Sequence, residues 1–178
     1  MENQEITPKQ IMLNYGLILG FASILLSVAL YAMGKTYNPH WSVGVFSTAM
    51  TVVAIILGIK KIKEFNGGFL SLSEALKTGL GIALVSGLVF VVYNLIFVTF
   101  IEPEYFERML EFSQQNLLET YPNFSDEQME ASAEMAKKMS GPFINSAIII
   151  IGSLFLGFVI SLISGLIMKK SDEEITSI

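Results

Sequence analysis

The sequence predicts an all-α, polytopic membrane protein: four transmembrane helices plus a helical extracytoplasmic loop between spans three and four. Three observations carry that expectation. Hydrophobic residues make up 52% and charged residues 15% of the 178, against about 45–50% and about 25% in a soluble domain. The 11 basic and 16 acidic residues leave four charge-free windows, 10–34, 36–59, 78–101 and 139–168. Each exceeds the roughly 20 apolar residues that a spanning helix needs. One Lys, Arg or Asp at mid-bilayer costs about 2.5–3.5 kcal/mol, so windows this clean point to lipid rather than to a soluble helical bundle.

The first span is expected over about 11–33, opened by Thr7-Pro8, a hydroxyl cap followed by proline at the first helical position. The residues before it, MENQEITPKQ, make a poor signal-peptide start, and no A-x-A site closes the apolar run, so this span is expected to stay as an anchor. Gly16, Gly20, Ser23 and Ser27 lie along one stripe, the pattern that lets helix backbones approach closely in lipid. Tyr31, Tyr37 and Trp41 bracket a short turn at an expected interface, with Asn38-Pro39 in the turn itself.

The second span, about 41–59, carries Gly44, Thr48, Thr51 and Gly58 and ends on Lys60, Lys61 and Lys63. Asn66-Gly67-Gly68 should break the helix, and Ser71-x-x-Glu74 fits a capping box for the next one. Residues 60–78 therefore form a short loop whose far side begins as an interfacial helix. The third span, about 79–101, carries Gly79, Ala83, Ser86 and Gly87, then Tyr93 and Asn94. Aligning Gly16 with Gly79 also matches Gly20 with Ala83 and Ser23 with Ser86, as a parallel repeat would, although small residues are common in all spans.

Residues 102–142 are the long polar segment. Pro103 should start an amphipathic helix that Tyr121-Pro122-Asn123 stops, and Ser125-x-x-Gln128 should cap a second one running to about Met139. In the fourth span, about 143–168, Ser153, Gly157, Ser161 and Gly165 recur every four residues before Lys169 and Lys170. A short acidic tail follows, expected to be disordered.

Basic residues near span ends mark the cytoplasmic side. With both termini inside, seven basic residues, including Lys60, Lys61, Lys63, Lys169 and Lys170, lie inside and four outside. The expected topology is therefore N-in and C-in, with 60–78 cytoplasmic and 102–142 extracytoplasmic.

The segment from Gly67 to Gly79, GGFLSLSEALKTG, resembles a recurring signature of a family of small four-span bacterial membrane proteins, domain of unknown function 4199, found mostly in Bacteroidetes. Glu102-Pro103-Glu104-Tyr105 and the helical acidic loop are similar to that family too. The resemblance implies a bacterial inner-membrane location and this architecture, and brings no activity, ligand or catalytic residue with it.

Candidate chemistry is sparse. There is no cysteine, which removes thiol catalysis and thiolate metal sites. Net charge −5 argues against nucleic acid, which selects basic faces. His40, the only histidine, sits beside Trp41 with no dyad partner in view and reads as an interfacial side chain. Glu104, Glu107 and Glu111 share a helix face, as do Glu127, Glu130 and Glu134. Such stripes suit solvated surfaces with Glu104–Arg108 and Glu134–Lys138 pairs, or a weak Ca²⁺ or Mg²⁺ site.

No predicted span holds an ionisable acid or base. Such groups usually mark the pathway in pumps, proton-coupled transporters and intramembrane proteases. Asn94 is the strongest intramembrane polar candidate, with Asn14, Tyr93 and Asn145 behind it, and it needs a hydrogen-bond partner from another helix. The sequence thus points to a non-enzymatic interaction or accessory subunit, without cofactor, whose partners are the bilayer and another membrane protein or further copies of itself. The alternative is a small oligomeric transporter or channel for an uncharged or weakly charged solute. A polar cavity around Asn94 would favour the alternative.

Overall fold

The computed structural model describes residues 7–121, 123 and 125–170. The expected acidic tail, the first six residues and Pro122 of the expected helix stop lie outside the described residues. Four long helices and two shorter ones follow in order: α1 (Pro8–Ala32), α2 (Trp41–Phe65), α3 (Leu72–Ile96), α4 (Tyr105–Thr120), α5 (Asp126–Met139) and α6 (Pro142–Met168). α3 runs on through a π-helical turn, Phe97–Ile101. α1, α2, α6 and the continuous Leu72–Ile101 segment are long and apolar enough to cross a membrane. The chain is an all-α membrane protein of four spans with a helical loop between the third and fourth, as its sequence predicts.

Helix starts follow local chemistry. Thr7 with Gln10, Ser71 with Glu74 and Ser125 with Gln128 each close a reciprocal capping box, which satisfies two of the orphan N–H groups at a helix start. Gly141, at φ 134, turns the chain into Pro142 through a conformation that favours glycine. α4 begins at Tyr105, two residues beyond Pro103.

Between α2 and α3 the helix breaks at Asn66-Gly67-Gly68 and restarts behind Ser71, where the sequence places both. α2 continues through Lys60, Lys61 and Lys63 to Phe65, because nothing in that run breaks a helix and lysine stems can lie along apolar surface. The chain reverses at Gly67 and Gly68, both at positive φ. Leu70 then exchanges two backbone hydrogen bonds with Lys170, at 3.1 and 3.0 Å, and the Lys63 ammonium donates to the Met168 carbonyl at 2.7 Å. A lysine thus caps the end of α6, where carbonyls lack helical partners and the helix dipole favours a cation. Lys170 in turn lies over the Phe69 ring, 5.8 Å from its centroid.

α3 is the central helix and packs against α1, α2 and α6. Its Gly79, Ala83 and Gly87 meet Ser161, Gly157 and Ser153 of α6 so closely that a Cβ on any of the three glycines would collide with its opposite number. Ala75 continues the row against Gly165. On the opposite side, Gly16 and Gly20 of α1 fit against Val85 and Val89, and Gly58 of α2 receives Ile82. Ile11, Ile55, Ile59, Ile62, Ile82 and Ile160 fill the space between these contacts, near the end of the bundle where residues 7 and 170 lie.

Gly44, expected among the packing residues, touches nothing within 4 Å of where its Cβ would be, and neither does Gly152. Gly79→Leu should therefore lower thermal stability in detergent by about 1–3 kcal/mol or more through overpacking. Gly44→Leu and Gly152→Leu should stay within about 0.5 kcal/mol of the parent. Equal losses at all three positions would contradict this packing.

Candidate functional site

At the opposite end of the bundle, toward α4 and α5, the spans separate around a cavity of about 530 Å³, within the range of about 300–1,000 Å³ that small ligands occupy. α1 contributes Ser23 and Ser27 to its wall, α2 Ser47 and Thr51, α3 Ser86 and Asn94, and α6 Asn145 and Ser153. Leu19, Leu26, Leu30, Phe90, Ile148, Ile149 and Leu156 supply the apolar remainder. Thr36, Phe97 and Tyr105 reach it from the loop end. Among the described residues none that lines it is charged.

Most of the hydroxyls are already committed as donors. Ser23 donates to the Leu19 carbonyl at 2.9 Å, Ser47 to Gly44 at 3.0 Å, Thr51 to Ser47 at 3.0 Å, Ser86 to Ala83 at 3.0 Å and Ser153 to Ile150 at 2.9 Å. Back-bonding of this kind lets a hydroxyl sit inside a spanning helix without losing its hydrogen bond. What remains on these oxygens is acceptor capacity. Tyr93 donates to Ser27 at 3.3 Å.

Asn94 finds the interhelical partner its place in a span demands. The Asn145 amide of α6 donates to Asn94 Oδ1 at 2.8 Å. An amide has two donors and a carbonyl, so one such bond leaves a free donor and a free acceptor at the pair, and flipping both amides changes only which residue carries each. Asn14, by contrast, is exposed on α1 and takes no part.

Two further polar atoms stand at the loop end. Thr36 Oγ1 and the Tyr37 hydroxyl are both sealed from solvent, and Thr36 Oγ1 has no hydrogen-bond partner. The Tyr37 hydroxyl faces the Glu102 carboxylate. Burial first, then that carboxylate, push the phenol up to about 12. Glu102 itself is nearly buried and pairs with Arg108 Nη1 at 3.1 Å, while Arg108 Nη2 holds Glu104 at 2.9 Å. These two carboxylates raise the guanidinium pKa, and burial alone raises that of Tyr105. The ring of Phe97 stacks with those of Tyr31, Tyr93 and Tyr105, so the π-helical turn ties α4 to the bundle.

The other expected sites are dispersed. His40 caps α2, its Nδ1 accepting from the Ser42 N–H at 3.3 Å. Glu104–Arg108 and Glu134–Lys138 pair on exposed helix faces. Among the described residues no three His, Asp or Glu side chains converge as a metal site. Ser23 and Ser86, read as packing residues, line the cavity, with Ala83 at its edge. Gly157 and Ser161 hold α6 to α3 below it. The sequence carried one unread signal: along α1 the small residues change from Gly16 and Gly20, which pack against α3, to Ser23 and Ser27, which line the cavity.

A buried hydroxyl without a partner costs about 1–3 kcal/mol. Thr36→Val should accordingly raise thermal stability by about 1 kcal/mol, and a fall would mean that the hydroxyl is bonded. The phenol of Tyr37 is raised above its ordinary 10.0 on folding. Its contribution to stability is therefore complete below pH 10 and is lost as pH climbs through about 12. Tyr37→Phe should flatten the alkaline decline of Tm in that window.

No curated protein and no solved structure matches the chain. A family profile described as "Protein of unknown function (DUF4199)" matches residues 14–170. The match runs from the early turns of α1 to the end of α6 and takes in the glycine contacts, the cavity and the lysine-capped connection. The chain belongs to the DUF4199 family of proteins of unknown function.

Proposed function

We propose that this chain is a non-enzymatic protein of the bacterial inner membrane, with both termini cytoplasmic, that binds a small uncharged ligand in the cavity between its spans. The observation that carries the reading is the cavity wall. Hydroxyls, an amide pair and apolar side chains meet there, with no carboxylate, imidazole or cation among the described residues. A charged ligand would lose its hydration shell with no countercharge to offset the loss. An uncharged one gains hydrogen bonds from Asn94, Asn145 and the hydroxyl oxygens. The same wall lacks the activated nucleophile or positioned acid–base pair that covalent or proton-transfer chemistry uses.

Of the two roles expected from the sequence, this supports a carrier for an uncharged solute more directly than an accessory subunit. The accessory reading draws on a different place. Gly44 has no neighbour within 4 Å, and Trp41, Val45 and Phe46 around it are exposed, a surface on which another spanning helix would pack. Disulfide trapping of Gly44→Cys to a second chain in native membranes would favour it.

Orientation rests on clustered lysines: Lys60, Lys61, Lys63, Lys169 and Lys170 gather at one end of the bundle, where Leu70 and Lys170 pair. Excess lysine marks the cytoplasmic face. In this cysteine-free chain, Glu119→Cys should react with an impermeant thiol reagent added outside intact cells and Lys63→Cys should not; the reverse pattern inverts the topology.

Ligand binding is testable on the full chain in detergent. Uncharged hydroxyl- or amide-bearing compounds at about 100 times their Kd should raise stability by about 2.7 kcal/mol, and Asn94→Leu should abolish the shift. Stabilisation by charged compounds that is indifferent to Asn94 would overturn the proposal.

A further inference from the structure

We propose that the cavity is reached sideways, through an opening between α2 and α6, and that its ligand is an uncharged, hydroxyl-bearing lipid of the diacylglycerol or long-chain alcohol kind. The inference rests on the cavity-binding reading above and names its ligand class.

Ile55, Ile59 and Ile62 of α2 share one buried cluster with Ile160 of α6 toward the far end of the bundle. Farther along, Ser47 and Thr51 stand on one wall of the cavity and Ile148 and Gly152 on another. The α6 wall is also outer surface. Ile148 and Leu156 line the cavity yet are 55% and 39% exposed, and a Cβ on Gly152 would meet nothing within 4 Å. A sealed wall would bury these positions. Because α3 holds the other flank of α6 through the glycine contacts, the opening faces α2, and what lies outside it is the hydrocarbon of the bilayer.

The wall mixes surfaces that suit an amphipathic guest. On α6, Ile148, Ile149 and Leu156 lie among Asn145 and Ser153, and on α3 Phe90 lies between Ser86 and Asn94. The polar groups offer an excess of acceptors, since Ser23, Ser47, Thr51, Ser86 and Ser153 spend their protons on backbone carbonyls. Acceptor lone pairs welcome an O–H donor and repel a phosphate. The spare donor and acceptor groups of the Asn94–Asn145 pair, on the cavity wall, supply a hydroxyl with partners it cannot find in hydrocarbon. A cavity of about 530 Å³ holds a headgroup and the start of its chains, with the tails left in the bilayer through the side opening.

The test uses the full chain in phosphatidylcholine vesicles carrying a trace of diacylglycerol with a photoactivatable diazirine near its headgroup. Crosslinks should map to the cavity faces of α2 and α6, around Thr51 and Gly152. Gly152→Phe, which fills the opening without meeting another group, and Asn94→Leu should each cut labelling about tenfold. Phe155→Ala, on the exposed face of α6, should leave it unchanged. A matched phosphatidic acid probe should label the outer surface equally in the parent and Gly152→Phe. Diacylglycerol labelling that is indifferent to Gly152→Phe would show annular lipid only and overturn the proposal. Glycerol provides the discriminating arm: if it protects Ser86→Cys from a thiol reagent in an Asn94-dependent way while the lipid probe does not label the cavity, lateral lipid capture falls and the cavity-binding reading stands. Failure of both probes overturns both.

Discussion

Everything in this bundle depends on how closely α3 and α6 approach. Lipid tails are as apolar as the side chains they touch, so spanning helices gain little from hiding hydrophobic surface against each other and must rely on close van der Waals contact and hydrogen bonds. Gly79, Ala83 and Gly87 against Ser161, Gly157 and Ser153 provide that contact. Because side chains four residues apart lie on one helix face, a single glycine row on each partner is enough to build it. α1 docks on the same central helix through Gly16 and Gly20, and α2 through Gly58. The fold is thus one helix with three neighbours, each admitted by missing side chains.

That design has a geometric consequence. Contacts made by glycines and filled by isoleucines are concentrated toward one end of the bundle, where Leu70 and Lys170 pair and Lys63 caps α6. Toward the other end the facing positions hold serine, threonine and asparagine, which are larger than glycine and prefer a hydrogen bond to a tight apolar fit. The helices part there, and the cavity occupies the gap. Packing and cavity are two ends of the same residue stripes, which is why Ser23 and Ser86 belong to both descriptions.

Much of this was legible in the chain. Charge-free windows marked the spans, and capping chemistry at Thr7, Ser71 and Ser125 placed three helix starts, because both signals are local. Asn94 was legible as needing a partner, since a carboxamide in hydrocarbon must bond to something. Its partner, Asn145, lies 51 residues away and depended on the register of α3 against α6, which no local pattern encodes. The basic residues mark the end of the second span but not of its helix, which runs on to Asn66-Gly67-Gly68, the break the sequence predicts: helix propensity and membrane depth are separate properties. The Glu102–Arg108 pair was obscured by the equally good spacing of Glu104 with Arg108, and the arginine serves both.

The polar groups fall into two kinds, and the division bears on function. Backbone-bonded hydroxyls such as Ser161, which donates to Gly157 at 2.6 Å at the buried α3–α6 contact, are complete within the chain and need no ligand. Thr36 Oγ1 and the spare half of the Asn94–Asn145 pair are incomplete, but only the amide pair faces the cavity, the Thr36 hydroxyl being sealed. A bundle shaped by stability alone would replace Thr36 with valine and lose nothing, since burial of an unmatched hydroxyl only costs free energy. The amide pair differs from Thr36 in keeping its spare hydrogen-bonding groups on the wall of the cavity, where the uncharged ligand proposed above would use them.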